Sequence, residues 1–116
     1  MLNIKISNFS SEAASKTKGL HLKELMIPLL SENKTFAVDF EGIYRFASPF
    51  FNNSFANLAL IYGFDSIKKI PLLNISEIGQ QAFDTSLENA QLLSNNPEYI
   101  EKINTIINEN LPKKDV

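Results

Sequence analysis

The sequence predicts an α/β fold: a small mixed β-sheet of about four strands packed against helices, with a helix at the C-terminal end. Three observations predict it. Leu2, Ile4 and Ile6 alternate with Asn3, Lys5 and Ser7, the period-two pattern of a half-buried strand. Leu22, Leu25, Met26, Leu29 and Leu30 recur at helical spacing and form one apolar stripe. A second apolar strand then runs into Ser48-Pro49, a helix start, and strands alternating with helices define this class.

In chain order, the strand at 2–6 is followed by a Ser-, Lys- and Thr-rich stretch, 8–19, read as a loop with one helical turn near Glu12 to Lys16. The helix at 22–30 contains Pro28, which removes a backbone donor, so its last turn is expected to kink or thin out. In the second strand, 34–40, Phe36, Val38 and Phe40 point one way while Ala37 and Asp39 point the other. Ser48 is placed to cap one helix running to Tyr62, with Phe51, Phe55, Leu58, Ala59 and Tyr62 on its inner face. Gly63 is expected to end that helix in a left-handed cap.

Residues 70–75 predict a third strand, which Pro71 confines to an edge or to its own first residue. Ser76 caps a long helix to about Leu93, with Ala82, Phe83, Leu87 and Ala90 inward. A last helix starts at Pro97 and carries Ile100, Ile103, Ile106, Ile107 and Leu111. A single domain over 1–112 with a charged tail, 113–116, follows, and 116 residues are enough to bury one core.

Composition narrows the function. The net charge of -2 and eleven dispersed basic residues do not make the clustered footprint that nucleic acid requires. With no cysteine there is no disulfide, thiolate nucleophile or cysteine zinc site. No apolar run is long enough to span a bilayer, and the first residues lack the apolar core of a signal peptide, so a cytoplasmic protein is expected. His21 is the single histidine, at a helix start with no telling partner. No catalytic residues, metal ligands or cofactor site are therefore expected, and the chain is read as non-enzymatic.

The junction between the second strand and the next helix holds the candidate residues. Asp39 and Glu41 form a carboxylate pair that suits acid–base or metal work. With no third ligand at hand, satisfying loop amides and lining a charged rim is the plainer role. Gly42 gives the loop backbone freedom. Tyr44, Arg45 and Phe46 combine aromatic and guanidinium groups, which are enriched where proteins bind one another, although Phe46 is expected to be core. Ser48 is both a natural cap and a candidate phosphosite, because a phosphate at a helix N-terminus meets free amides and a favourable dipole. The capping oxygen and the phosphoacceptor oxygen are one atom, so the two roles compete.

The order strand, helix, strand, Asp39-Phe40-Glu41-Gly42-Ile43, then Ser48-Pro49-Phe50-Phe51 before a helix resembles the STAS-like family of small bacterial proteins. These are relatives of the STAS domains of anti-sigma-factor antagonists. Residues 38–58 carry most of the resemblance, Glu24 to Leu30 resembles the preceding helix, and 4–92 are covered. In the antagonists an Asp-Ser-Ser-Gly segment opens the helix and its second serine is phosphorylated by a partner kinase. Ala47, Ser48, Pro49 and Phe50 stand at those four positions, so the switch does not carry over onto Pro49. STAS-like members are often acidic at the positions of Asn52 and Asn53, which are neutral here.

The resemblance implies a regulatory module that binds another protein, by analogy a kinase-like ATPase of the anti-sigma type. Glu41, Tyr44, Arg45, Ser48, Asn52 and Asn53 are its expected partner-binding residues. Two other readings stand beside it. One is a small-ligand or anion sensor for nucleotide or phosphate at the helix start near Ser48. The other is a structural homodimer packed through Ile103, Ile106 and Ile107.

Overall fold

A computed structural model describes residues 1–96. Three strands, β1 (Leu2–Lys5), β2 (Phe36–Asp39) and β3 (Leu72–Leu73), form one sheet in the order β1-β2-β3. Both pairings are parallel, with Leu2 opposite Phe36 and Val38 opposite Leu72. This corrects the expectation of a mixed sheet of about four strands: among the described residues there are three, and all run the same way. Helical connections are the reason, since a chain that crosses over through a helix returns parallel.

The first crossover is α1 (Lys16–Ser31). It starts inside the stretch expected to be a loop, because Ser15 accepts a hydrogen bond from the Lys18 amide and caps it. Pro28 lies in its last turn without stopping it. Leu22 and Met26 are buried as the stripe requires, but Leu25 is 41% exposed.

The second crossover holds three short helices, α2 (Ser48–Asn52), α3 (Phe55–Tyr62) and α4 (Phe64–Lys68). The expected single helix breaks at Asn53-Ser54. There the Ser54 hydroxyl donates to the Phe50 carbonyl at 2.8 Å, and the Asn53 amide donates to the Pro49 carbonyl at 2.7 Å. Side chains thus compete locally with the backbone for those carbonyls. Gly63 adopts φ 96, ψ 145, a positive φ but not a left-handed helical cap. It turns the chain directly into α4, which buries Ile67.

β3 is shorter than expected. Pro71 precedes it, and Asn74, at φ 55, ends it. The strand lies at the sheet edge, as the proline demands. The last described helix, α5 (Glu77–Ser94), begins where predicted, with the Ser76 hydroxyl accepting from the Gly79 amide at 3.2 Å. Phe83, Leu87 and Ala90 are buried and Ala82 is half-buried. The predicted helix from Pro97 and the charged tail lie outside the described residues.

All four residues of β2 are buried, so the sheet is covered on both faces at its centre. The core beside it is built from phenylalanines. The Phe51 ring centroid lies 5.2 Å from that of Phe50, 6.1 Å from Phe40 and 6.2 Å from both Phe55 and Phe83. Edge-on contacts, Phe50 and Phe83 among them, suit the ring quadrupoles. Two places force close backbone packing. A β-carbon on Gly19 would collide with the Phe50 carbonyl, so α1 and α2 meet there. One on Gly79 would fall 2.7 Å from the Phe46 ring.

Candidate functional site

Because the strands are parallel and in register, Lys5, Asp39 and Leu73 end side by side at one edge of the sheet. The loops that leave those ends, 6–15, 40–47 and 74–76, consequently gather at that edge, where open α/β sheets usually place their ligands.

The middle loop is fastened on both sides. Towards the first loop, the Ala13 amide donates to the Arg45 carbonyl at 2.9 Å, and the Ala47 amide donates to the Ala13 carbonyl at 3.1 Å. Towards the third, the Asn74 side-chain amide donates to Asp39 Oδ1 at 2.9 Å. The Phe46 ring rests against Gly79 at the start of α5. Within the loop the Glu41 amide also donates to Asp39 Oδ1 at 2.9 Å, and Gly42 turns at φ 80.

Asp39 is 6% exposed, and a buried carboxylate is tolerated only when its oxygens are paired. The Asn74 amide and the Glu41 N–H hold its pKa below the ordinary aspartate value against the opposing effect of burial, with the Lys5 charge helping. Its role is the plainer one: it satisfies a loop amide and ties two loops together. Glu12 satisfies amides within the first loop. Its carboxylate accepts from the Ala14 and Ser15 amides and from the Ser15 hydroxyl. Burial raises its pKa, but those three hydrogen bonds and the Arg45 charge leave it below the ordinary glutamate value.

Of the six residues singled out in the sequence, Glu41, Tyr44, Arg45, Ser48 and Asn52 are exposed, and Asn53 is half-buried. Tyr44 is 86% exposed, the largest value for a large apolar side chain in the described part of the chain. Phe46 packs against the core as expected. Asn52 and Asn53 are engaged within the domain. Asn52 Oδ1 accepts from the Ser86 hydroxyl of α5 at 2.5 Å, and Asn53 closes the end of α2.

The role of Ser48 as a cap is corrected. The cap position is Ala47, which has extended backbone and no side-chain bond to give, and Ser48 is already in the first turn. The reason is the Ala13–Ala47 backbone bond, which holds Ala47 extended against the first loop. Pro49 still falls within the first two helical positions, as its fixed φ favours. A five-residue helix sums few peptide dipoles, so α2 offers an anion little.

Three residues of the face escaped the sequence reading: Glu12, Asn74 and Ile78. Asn74 follows an apolar run and tolerates positive φ, a turn signal that was available. Ile78, 68% exposed in the first turn of α5, lies outside that helix's apolar stripe. Glu12 bonds to amides two and three residues further on, a local turn hidden in a stretch read simply as a loop. Among the described residues no cluster of His, Asp and Glu is placed to hold a metal ion. None of the described helices is long and apolar enough to cross a membrane.

An α/β domain with a small parallel sheet and a three-loop face at its carboxyl edge is what the geometry defines. Comparison with protein families makes this specific. The family described as "STAS-like domain of unknown function (DUF4325)" matches residues 19–80, and the chain belongs to that family. The match runs from Gly19 in α1 to Gln80 in α5 and so takes in the middle and third loops of the face. No curated protein and no solved structure matches the chain.

Proposed function

We propose that this domain is a non-enzymatic, regulatory protein-interaction module of the bacterial cytoplasm, which binds a partner protein through the face at 41–53. Its resemblance to the antagonists of anti-sigma factors supports a kinase-like ATPase as that partner. The observation that carries the reading is Tyr44: a ring 86% exposed beside Arg45, on a loop fastened to both its neighbours. A rigid, exposed aromatic next to an arginine is the combination that dominates binding energy at protein interfaces, because little conformational entropy is lost when it is buried. Glu41 adds charge to the same loop, while Asn52, exposed at the end of α2, is held by Ser86 of α5 and Asn53 by the Pro49 carbonyl.

Ser48 is the regulated position on this reading. Its hydroxyl is exposed and makes no capping bond, so a phosphate there would add charge to the binding face without costing the helix its cap. A photo-cross-linking amino acid placed at position 44 tests the reading in the source cells. A discrete adduct with one protein, reduced by Ser48→Glu, is expected. Adducts spread evenly over abundant proteins, or none, would refute it.

A further inference from the structure

The middle loop is pinned to the third loop and the start of α5 at two points. At the sheet end, the Glu41 amide and the Asn74 side chain converge on one oxygen of Asp39. Further out, a β-carbon at Gly79 would meet both the Phe46 ring and the Ile75 side chain, so Phe46 seats the middle loop on α5. Tyr44 lies between these pins on one segment, and Ile78 lies between them on the other. Tyr44 is 86% exposed and Ile78 is 68% exposed. Ile78 takes no part in the core, and a β-branched side chain gains nothing in helix propensity. Charge divides the same face. No lysine or arginine occurs in 39–44 or in 74–80, whereas Glu41 and Glu77 are exposed there. Arg45 belongs to the opposite side, where its carbonyl and the Ala47 amide bond to Ala13 and its charge acts on Glu12. Ser48 follows Ala47 on that side.

We propose that Tyr44 and Ile78 together receive an apolar side chain of the partner protein, and that lysine or arginine residues flanking that side chain meet Glu41 and Glu77. This deepens the reading of 41–53 as a binding face and rests on it. The face then extends across the third loop into α5, and the partner's contact segment acquires a chemistry: apolar, with basic flanks. Burying Tyr44 and Ile78 against such a segment removes from water the apolar surface that the domain itself leaves exposed. The carboxylates sit at the rim of that contact, where opposite charges set specificity and association rate and are weakened by salt. Because both segments are already pinned, little freedom is lost when they are bound.

The test places the photo-cross-linking amino acid at position 78 of the full chain as well as at position 44. The same protein is expected in both adducts, and peptide mapping of the position-78 adduct is expected to find lysine or arginine beside the attached residue. The protein trapped at position 44 is then titrated against variants. Ile78→Ala is expected to bind about fivefold or more weakly, with an unchanged melting curve by circular dichroism, since alanine is the better helix former. Glu41→Gln with Glu77→Gln is expected to flatten the fall of affinity with salt. An adduct at 44 with none at 78 would overturn this inference and leave the 41–53 reading standing. Wild-type affinity in Ile78→Ala, or an unchanged salt dependence in the double variant, would do the same. No discrete adduct at either position removes the reading and this inference with it.

Discussion

A single carboxylate organises the middle of the three-loop face. Asp39 Oδ1 accepts from the Glu41 amide and the Asn74 side chain, so its removal leaves two donors unpaired at the end of a buried strand. Asp39→Ala is expected to cost about 1.5–3 kcal/mol in denaturant unfolding at neutral pH, the range for hydrogen bonds to a charged group. The pH dependence has a definite sign. The folded pKa of Asp39 lies below the unfolded value, so its contribution is complete above an unfolded pKa of about 3.9 and is lost as pH falls through the folded value. Glu12 acts in the same direction. Unfolding midpoints measured from neutral to acid pH should therefore fall on acidification, less steeply in Asp39→Asn than in wild type. An equal slope would show that Asp39 is not the group responsible. The sequence marked Asp39 as a loop-satisfying acid but not its partner, which lies 35 residues away and meets it only when β2 and β3 pair.

Two serines separate what local rules determine from what packing determines. Ser76 caps α5, and Ser76→Ala should cost about 0.5–2 kcal/mol. Ser48 resembles a cap in sequence but stands one residue inside α2, so Ser48→Ala should change stability by less than about 0.5 kcal/mol. Parallel chemical denaturation of the two variants decides this, and a large loss at Ser48 would contradict the observed helix start. The same contrast governs the longer elements. β2 and α5 were legible because a continuous apolar run and a capped apolar stripe are local signals. The break between α2 and α3 was not, because it depends on the Ser54 and Asn53 side chains turning back onto carbonyls. Nor was α4, which follows from Gly63 taking a positive φ without forming the expected cap. Gly19 adds a contact invisible in sequence. Gly19→Ala drives a methyl into the Phe50 carbonyl and should cost about 1–3 kcal/mol in the same assay, despite the better helix propensity of alanine.

Across the molecule, parallel order sends three loops to one edge, and hydrogen bonds between them make a surface from segments far apart in the chain. That arrangement explains why only part of the face was found in sequence. Tyr44, Arg45 and Glu41 lie in one conspicuous loop, whereas Glu12, Asn74 and Ile78 join only through the fold. The phenylalanine cluster behind the loop holds it in place, with Phe46 stacked at 6.4 Å from Phe51. Tyr44 makes no packing contact with the core and Arg45 adds only a small, solvent-screened attraction to Glu12, so a double variant Tyr44→Ala with Arg45→Ala should unfold within about 0.5 kcal/mol of wild type.

That double variant also supplies the most direct test of the proposed binding face. The partner trapped at position 44 is titrated against wild type, against Tyr44→Ala with Arg45→Ala, and against Glu88→Ala with Asn89→Ala on the exposed side of α5. A partner-binding face at 41–53 predicts a loss of about thirtyfold or more for the first variant, the effect of a hot-spot truncation, and no loss for the second. Equal affinity of all three proteins would contradict it.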